Sequence, residues 1–96
     1  MIRVKASVLP HNLIIAAAMA NEGAEQGQNI VITSGIDGTH MTGSKHYTGD
    51  ALDMRTSNFP TPSAMITFVD GLRKRLGGDY DVVVEKDHLH CEYDPK

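Results

Sequence analysis

Two short stretches hold the side chains best suited to chemistry. Ser44 to Asp53 reads SKHYTGDALD and sets an imidazole, His46, seven residues before a carboxylate, Asp53. Gly49 and Ala51 between them are small enough for backbone or a ligand to approach closely. The second stretch, Glu85 to His90, reads EKDHLH. Together they supply three His or Asp side chains for one metal ion, with a glutamate to spare. Zinc takes such a set in catalytic sites, where three protein ligands leave a fourth position open.

The segments around these stretches must position them. Met1 to Val8 alternates weakly and reads as an edge strand or an ordered arm. Pro10 suits the first turn of a helix. Leu13, Ile14, Ala16, Ala17, Ala18 and Met19 follow as good helix formers with an apolar stripe, which predicts a helix over 10–25. Asn29 to Thr33 is a β-branched run, a buried strand by type. Ser34 to Gly43 is rich in Gly, Ser, Thr and Asp and reads as a loop leading into the His46 segment. Gly49 to Arg55 reads as a strand, with Leu52 and Met54 on its core face and Ala51, Asp53 and Arg55 on the other.

Thr61 as N-cap and Pro62 at the first helical position open a second helix. Met65, Phe68, Val69, Leu72 and Leu76 give it a helical period, and Gly77-Gly78 stops it. Tyr80 to Glu85 and His88 to Tyr93 then form a hairpin across Lys86-Asp87, although Lys-Asp is not a favoured turn pair. Cross-strand partners share a face, so the turn gathers Glu85, His88 and His90 on one side. The expected fold is α+β. A small antiparallel sheet carries the site, and two main helices, 10–25 and 62–76, pack on its other face.

The 96 residues make one domain. The formal charge of −3 and the lack of a long basic run argue against a nucleic-acid surface. No apolar run approaches the roughly 20 residues of a membrane helix. Arg3 and Lys5 ahead of Leu13–Ala20 imitate a signal peptide, but Pro10-His11-Asn12 interrupts it. A single cysteine, Cys91, excludes an intrachain disulfide and reads as a small buried side chain. His11 and His40 read as solvent-exposed residues outside the site. A lone histidine on a strand is usually a polar surface residue. Aspartate is depleted in strands and costly to bury unpaired, which singles out Asp53.

Ser44, His46, Gly49, Ala51 and Asp53, written SxHxxGxAxD, and the later ExxHxH of Glu85, His88 and His90 resemble a known family. It comprises the zinc D,D- and L,D-carboxypeptidases and endopeptidases of bacterial cell walls and their phages. Its relatives include D-alanyl-D-alanine dipeptidases and the zinc-containing signalling domain of hedgehog proteins. The resemblance covers roughly residues 29–93, and the Ile-Thr-Ser-Gly run at 32–35 looks like the family's lead-in.

The resemblance implies a zinc metallopeptidase, of endolysin or carboxypeptidase type, acting on peptidoglycan stem peptides or short D-amino-acid peptides. By it, His46 and Asp53 are zinc ligands and Glu85 is the base. Members with an HxH pair bind metal through the second histidine, which gives His90. Members with ExxH alone would give His88. With both present, His90 is the expected ligand, and His88 a group beside it that meets the transition state. The family's aromatic or arginine after the Ser-Gly run is replaced by Ile36 and Asp37. Arg55 and Arg3 remain to bind substrate, and Ser44 is a further substrate-binding candidate. The expectation is a monomer made in the bacterial cytoplasm, phage-encoded or bacterial, that acts on the wall after release. The competing expectations are a hedgehog-like zinc module without catalysis and a virion-associated structural domain.

Overall fold

A computed structural model describes residues 2–4, 10–34 and 49–95. The elements run β1 (Ile2–Val4), α1 (Pro10–Gln26), β2 (Ile30–Ser34), β3 (Ala51–Arg55), α2 (Pro62–Leu76), β4 (Tyr80–Val84) and β5 (His88–Tyr93). The strands form one sheet in the order β1-β2-β3-β5-β4. The chain is therefore α+β, with β2, β3, β5 and β4 antiparallel. β1 joins the edge parallel to β2. A parallel pair needs a long crossover, which α1 supplies.

The period-two pattern sorts the sheet into two faces. Leu52, Met54, Val82, Leu89 and Cys91 point to the core with Ile30 and Ile32. From the helices, Ile15, Met19, Phe68, Val69 and Leu72 join the same cluster. In α2 the cap behaves as its residue types require. The Thr61 side chain accepts from the Ala64 N–H at 3.0 Å, Pro62 follows, and Gly77 closes the helix at φ 82°. Such a positive φ suits glycine, which lacks a Cβ.

α1 differs from its sequence pattern. Its buried face carries Asn12, Ile15, Met19 and Glu22, whereas Leu13 and Ile14 are exposed. Helical spacing fits 12, 15, 19 and 22 better than the continuous apolar run, because one helix can turn only one stripe to a sheet. Glu22 is buried against α2, where Arg75 Nε donates to its Oε1 at 2.9 Å. Arg75 also pairs with Glu25, and Gln26 donates to Glu22. Arg73 donates to the Val82 carbonyl at 2.9 Å. The basic end of α2 thus ties the helix to α1 and β4, beyond any favourable interaction with its dipole. No described helix is long and apolar enough to cross a membrane.

Candidate metal centre on the polar face of the sheet

The polar face is built on β3 and β5. Their register pairs Asp53 with His90 and Arg55 with His88. Directly opposed residues project to the same side of a sheet. Asp53 Oδ1 lies 3.0 Å from His90 Nδ1 and 3.9 Å from His88 Nε2. The far nitrogen of each ring meets another carboxylate. His90 Nε2 is 2.8 Å from Glu92 Oε1, and His88 Nδ1 is 2.7 Å from Asp87 Oδ1. Carboxylates and imidazoles therefore alternate across the face in the order Asp87, His88, Asp53, His90, Glu92.

This ladder sets the electrostatics. Hydrogen bonding to Asp53 raises the His90 pKa above the ordinary value, burial opposes it, and Glu92 adds to the rise. The hydrogen bond with His88 holds the Asp87 carboxyl below its usual range, against an opposing effect of desolvation. On the core side of the same strand, burial pushes the Cys91 thiol up to about 12, so it stays protonated and inert.

β2 completes one wall. Its register with β3 pairs Ile32 with Met54 and then Ser34 with Asp53, so one extra residue is inserted between. Such a bulge re-aims side chains, as bulges beside active sites do. Thr33 lines a shallow cavity of about 260 Å³ together with Asp53, Arg55, Asp87 and His88.

Of the residues singled out from sequence, Asp53, Arg55, His88 and His90 come together here. Glu85 sits at the exposed end of the hairpin, and its N–H donates to the His88 carbonyl at 2.9 Å. That bond makes Glu85 and His88 partners across the turn. Neither Lys86 nor Asp87 has a positive φ, which excludes the favoured primed turns. It is Asp87, and not Glu85, that lines the cavity. His46, Ser44 and His40 lie outside the described residues, as do Ile36 and Asp37. His11 is only partly exposed. It pairs with Asp50, and its ring lies 4.2 Å from that of Tyr93.

Four further residues stand at the site: Glu92, Asp87, Thr33 and Ser34. Glu92 stands two residues beyond His90, so the strand period alone puts it on the site face. Asp87 neighbours His88, and its place between two strands marks it in the sequence as a turn residue. Thr33 and Ser34 depend on the bulge, for which a β-branched run carries no signal. Among the described residues, Asp81, Glu92 and Asp94 also bring carboxylate oxygens within 4.8 Å of one another.

Compared with models of known protein families, with curated proteins and with solved structures, the chain gives no match.

Proposed function

We propose that the chain is a zinc metallopeptidase that hydrolyses peptide bonds in peptidoglycan stem peptides, as a D-alanyl-D-alanine carboxypeptidase or an L,D-endopeptidase. One observation carries the reading. Asp53 and His90 come from two motifs far apart in sequence, yet their carboxylate and imidazole face each other at 3.0 Å on adjacent strands. The donor set fits zinc. His90 turns one nitrogen to the Asp53 carboxylate and the other to a second carboxylate, the surroundings usual for a metal-binding imidazole. His46, Asp53 and His90 would hold the ion. Bound zinc would polarise the scissile carbonyl and bring the pKa of a water toward neutrality.

The chain's own groups do the rest. Glu85 takes a proton from the attacking water and delivers it to the leaving amine as the C–N bond breaks. His88, less buried than His90 and beside the cavity, donates a hydrogen bond to the developing oxyanion. Arg55 lines the same cavity and offers a cationic partner to a substrate carboxylate. Ser44 is proposed as a further substrate contact. The protein would act as a monomer on the wall, phage-encoded or bacterial, after release from the cytoplasm.

The exposed place of Glu85 favours a second reading, a hedgehog-like zinc module that recognises without cleaving. Bound metal measured by plasma spectrometry, with cleavage of D-alanyl-D-alanine-terminated peptides, separates the two. Wild type and Glu85→Gln should each hold one zinc, and Glu85→Gln should lose about 10²–10⁴ in rate. His46→Ala, Asp53→Ala and His90→Ala should lose the metal, whereas His88→Ala should keep it and turn over slowly. Metal lost in His88→Ala but kept in His90→Ala would exchange the two histidine roles. An active Glu85→Gln beside an inactive Asp87→Asn would move the base to Asp87. Zinc without cleavage of any stem peptide would establish the recognition module.

A further inference from the structure

We propose that Glu92 is the positioning residue of His90, fixing which ring nitrogen faces the metal; the inference rests on the zinc reading above. An imidazole can offer either nitrogen, and the hydrogen bond made by one decides the role of the other. Glu92 Oε1 lies 2.8 Å from His90 Nε2. Carboxylates only accept, so both ring nitrogens donate here, Nε2 to Glu92 and Nδ1 to Asp53; on metal binding Glu92 would hold the proton on Nε2 and leave the lone pair to Nδ1. Nδ1 is the atom that faces Asp53, the proposed companion ligand.

His88 is held in the opposite sense. Its Nδ1 meets Asp87, and its Nε2 faces Asp53 at 3.9 Å. The two histidines thus present different nitrogens to one carboxylate, each fixed by its own acidic neighbour. The neighbours differ in strength of placement. Asp87 is 86% exposed at a turn, whereas Glu92 is 24% exposed within a strand. Glu92 is flanked across the sheet by Ala51 on β3 and Asp81 on β4. Ala51 offers no side-chain polar group to draw Glu92 away from His90. The better-anchored acid therefore stands behind His90, which separates the ligand from its neighbour on grounds independent of the HxH spacing.

Glu92→Ala and Glu92→Gln test this. The amide oxygen of glutamine still accepts from Nε2–H, although the charge is gone. Zinc affinity is read by competition with a chromophoric chelator. Long-range ¹H–¹⁵N correlations of the zinc-loaded, ¹⁵N-histidine protein identify the coordinating nitrogen. We expect His90 to bind through Nδ1 in the wild type. Glu92→Ala should weaken zinc by about 10–100-fold, the usual effect of removing such a partner. Glu92→Gln should recover most of that loss. Wild-type affinity in Glu92→Ala, coordination of His90 through Nε2, or a Glu92→Gln as weak as Glu92→Ala would each overturn the role of Glu92 while leaving the zinc reading intact. A wild type that binds no zinc would overturn both.

Discussion

Gly71 lies in the interior of α2, where glycine ordinarily weakens a helix by about 1 kcal/mol relative to alanine. Gly71→Ala should nevertheless destabilise this protein. A Cβ there would overlap Cδ and both carboxylate oxygens of Glu22, so the carboxylate would have to move. Glu22 is only 6% exposed, and a displaced carboxylate loses its bonds from Arg75 and Gln26 with little access to water in exchange. Hydrogen bonds to charged groups contribute about 1.5–3 kcal/mol each, so losing one already outweighs the gain in helix propensity. The net expectation for one lost bond is a loss of about 0.5–2 kcal/mol, or roughly 2–16 °C in Tm for a domain of this size. Urea unfolding followed by circular dichroism, with chelator present, would measure it. The same substitution in a Glu22→Ala background removes the clash and should stabilise by up to about 1 kcal/mol. A Gly71→Ala that stabilises the wild type, or that has equal effects in both backgrounds, would refute the reasoning.

Two other outcomes concern α1. Gly23→Ala should destabilise by about 1–3 kcal/mol in the same unfolding assay, because its Cβ would stand 2.7 Å from Ile30 Cγ1 and 2.8 Å from the Gln28 carbonyl oxygen. Burial raises the Glu22 pKa, but hydrogen bonds from Gln26 and Arg75 and nearby positive charge outweigh it and leave the folded value below the ordinary 4.5. The stability this supplies is present above the unfolded pKa and lost as pH falls through the folded one, so wild type should progressively lose its advantage over Glu22→Gln as pH falls from 4.5 in unfolding curves taken across pH.

Local signals made much of this fold legible. The cap, proline, apolar period and glycine stop of α2 are all written within one segment, and the helix has the expected bounds 62–76. The 88–93 strand was legible for the same reason, and its alternation puts His88 and His90 together. What depends on partners distant in sequence was not legible. Asn12 is buried while Leu13 and Ile14 are exposed, because the sheet selects which stripe of α1 it covers. Nothing near Gly71 in sequence announces Glu22, and nothing in Ile-Thr-Ser announces that both Thr33 and Ser34 will serve one position of β3. Glu92 was legible in principle by counting two residues on from His90. The ExxHxH motif itself ends at His90 and does not reach Glu92.

The core also fixes the geometry of the site. On β3 and β5, Leu52 and Met54 oppose Cys91 and Leu89, all four fully buried, and these pairs alternate with Asp53–His90 and Arg55–His88. A one-residue slip of either strand would turn every side chain to the opposite face. It would carry a carboxylate or an imidazole into the apolar cluster and leave leucine or methionine outside. Burying one such polar group without a partner costs about 1–3 kcal/mol, and exposing each large apolar side chain about as much again. Two or three such exchanges would consume most of the 5–15 kcal/mol that stabilises a typical domain. The 3.0 Å approach of Asp53 to His90 is therefore secured by residues on the far side of the sheet that never touch either one. Substitutions at Leu52, Met54, Leu89 or Cys91 that keep volume and apolarity should preserve the site, whereas a polar residue at any of them removes part of the energy gap between the correct register and its neighbour.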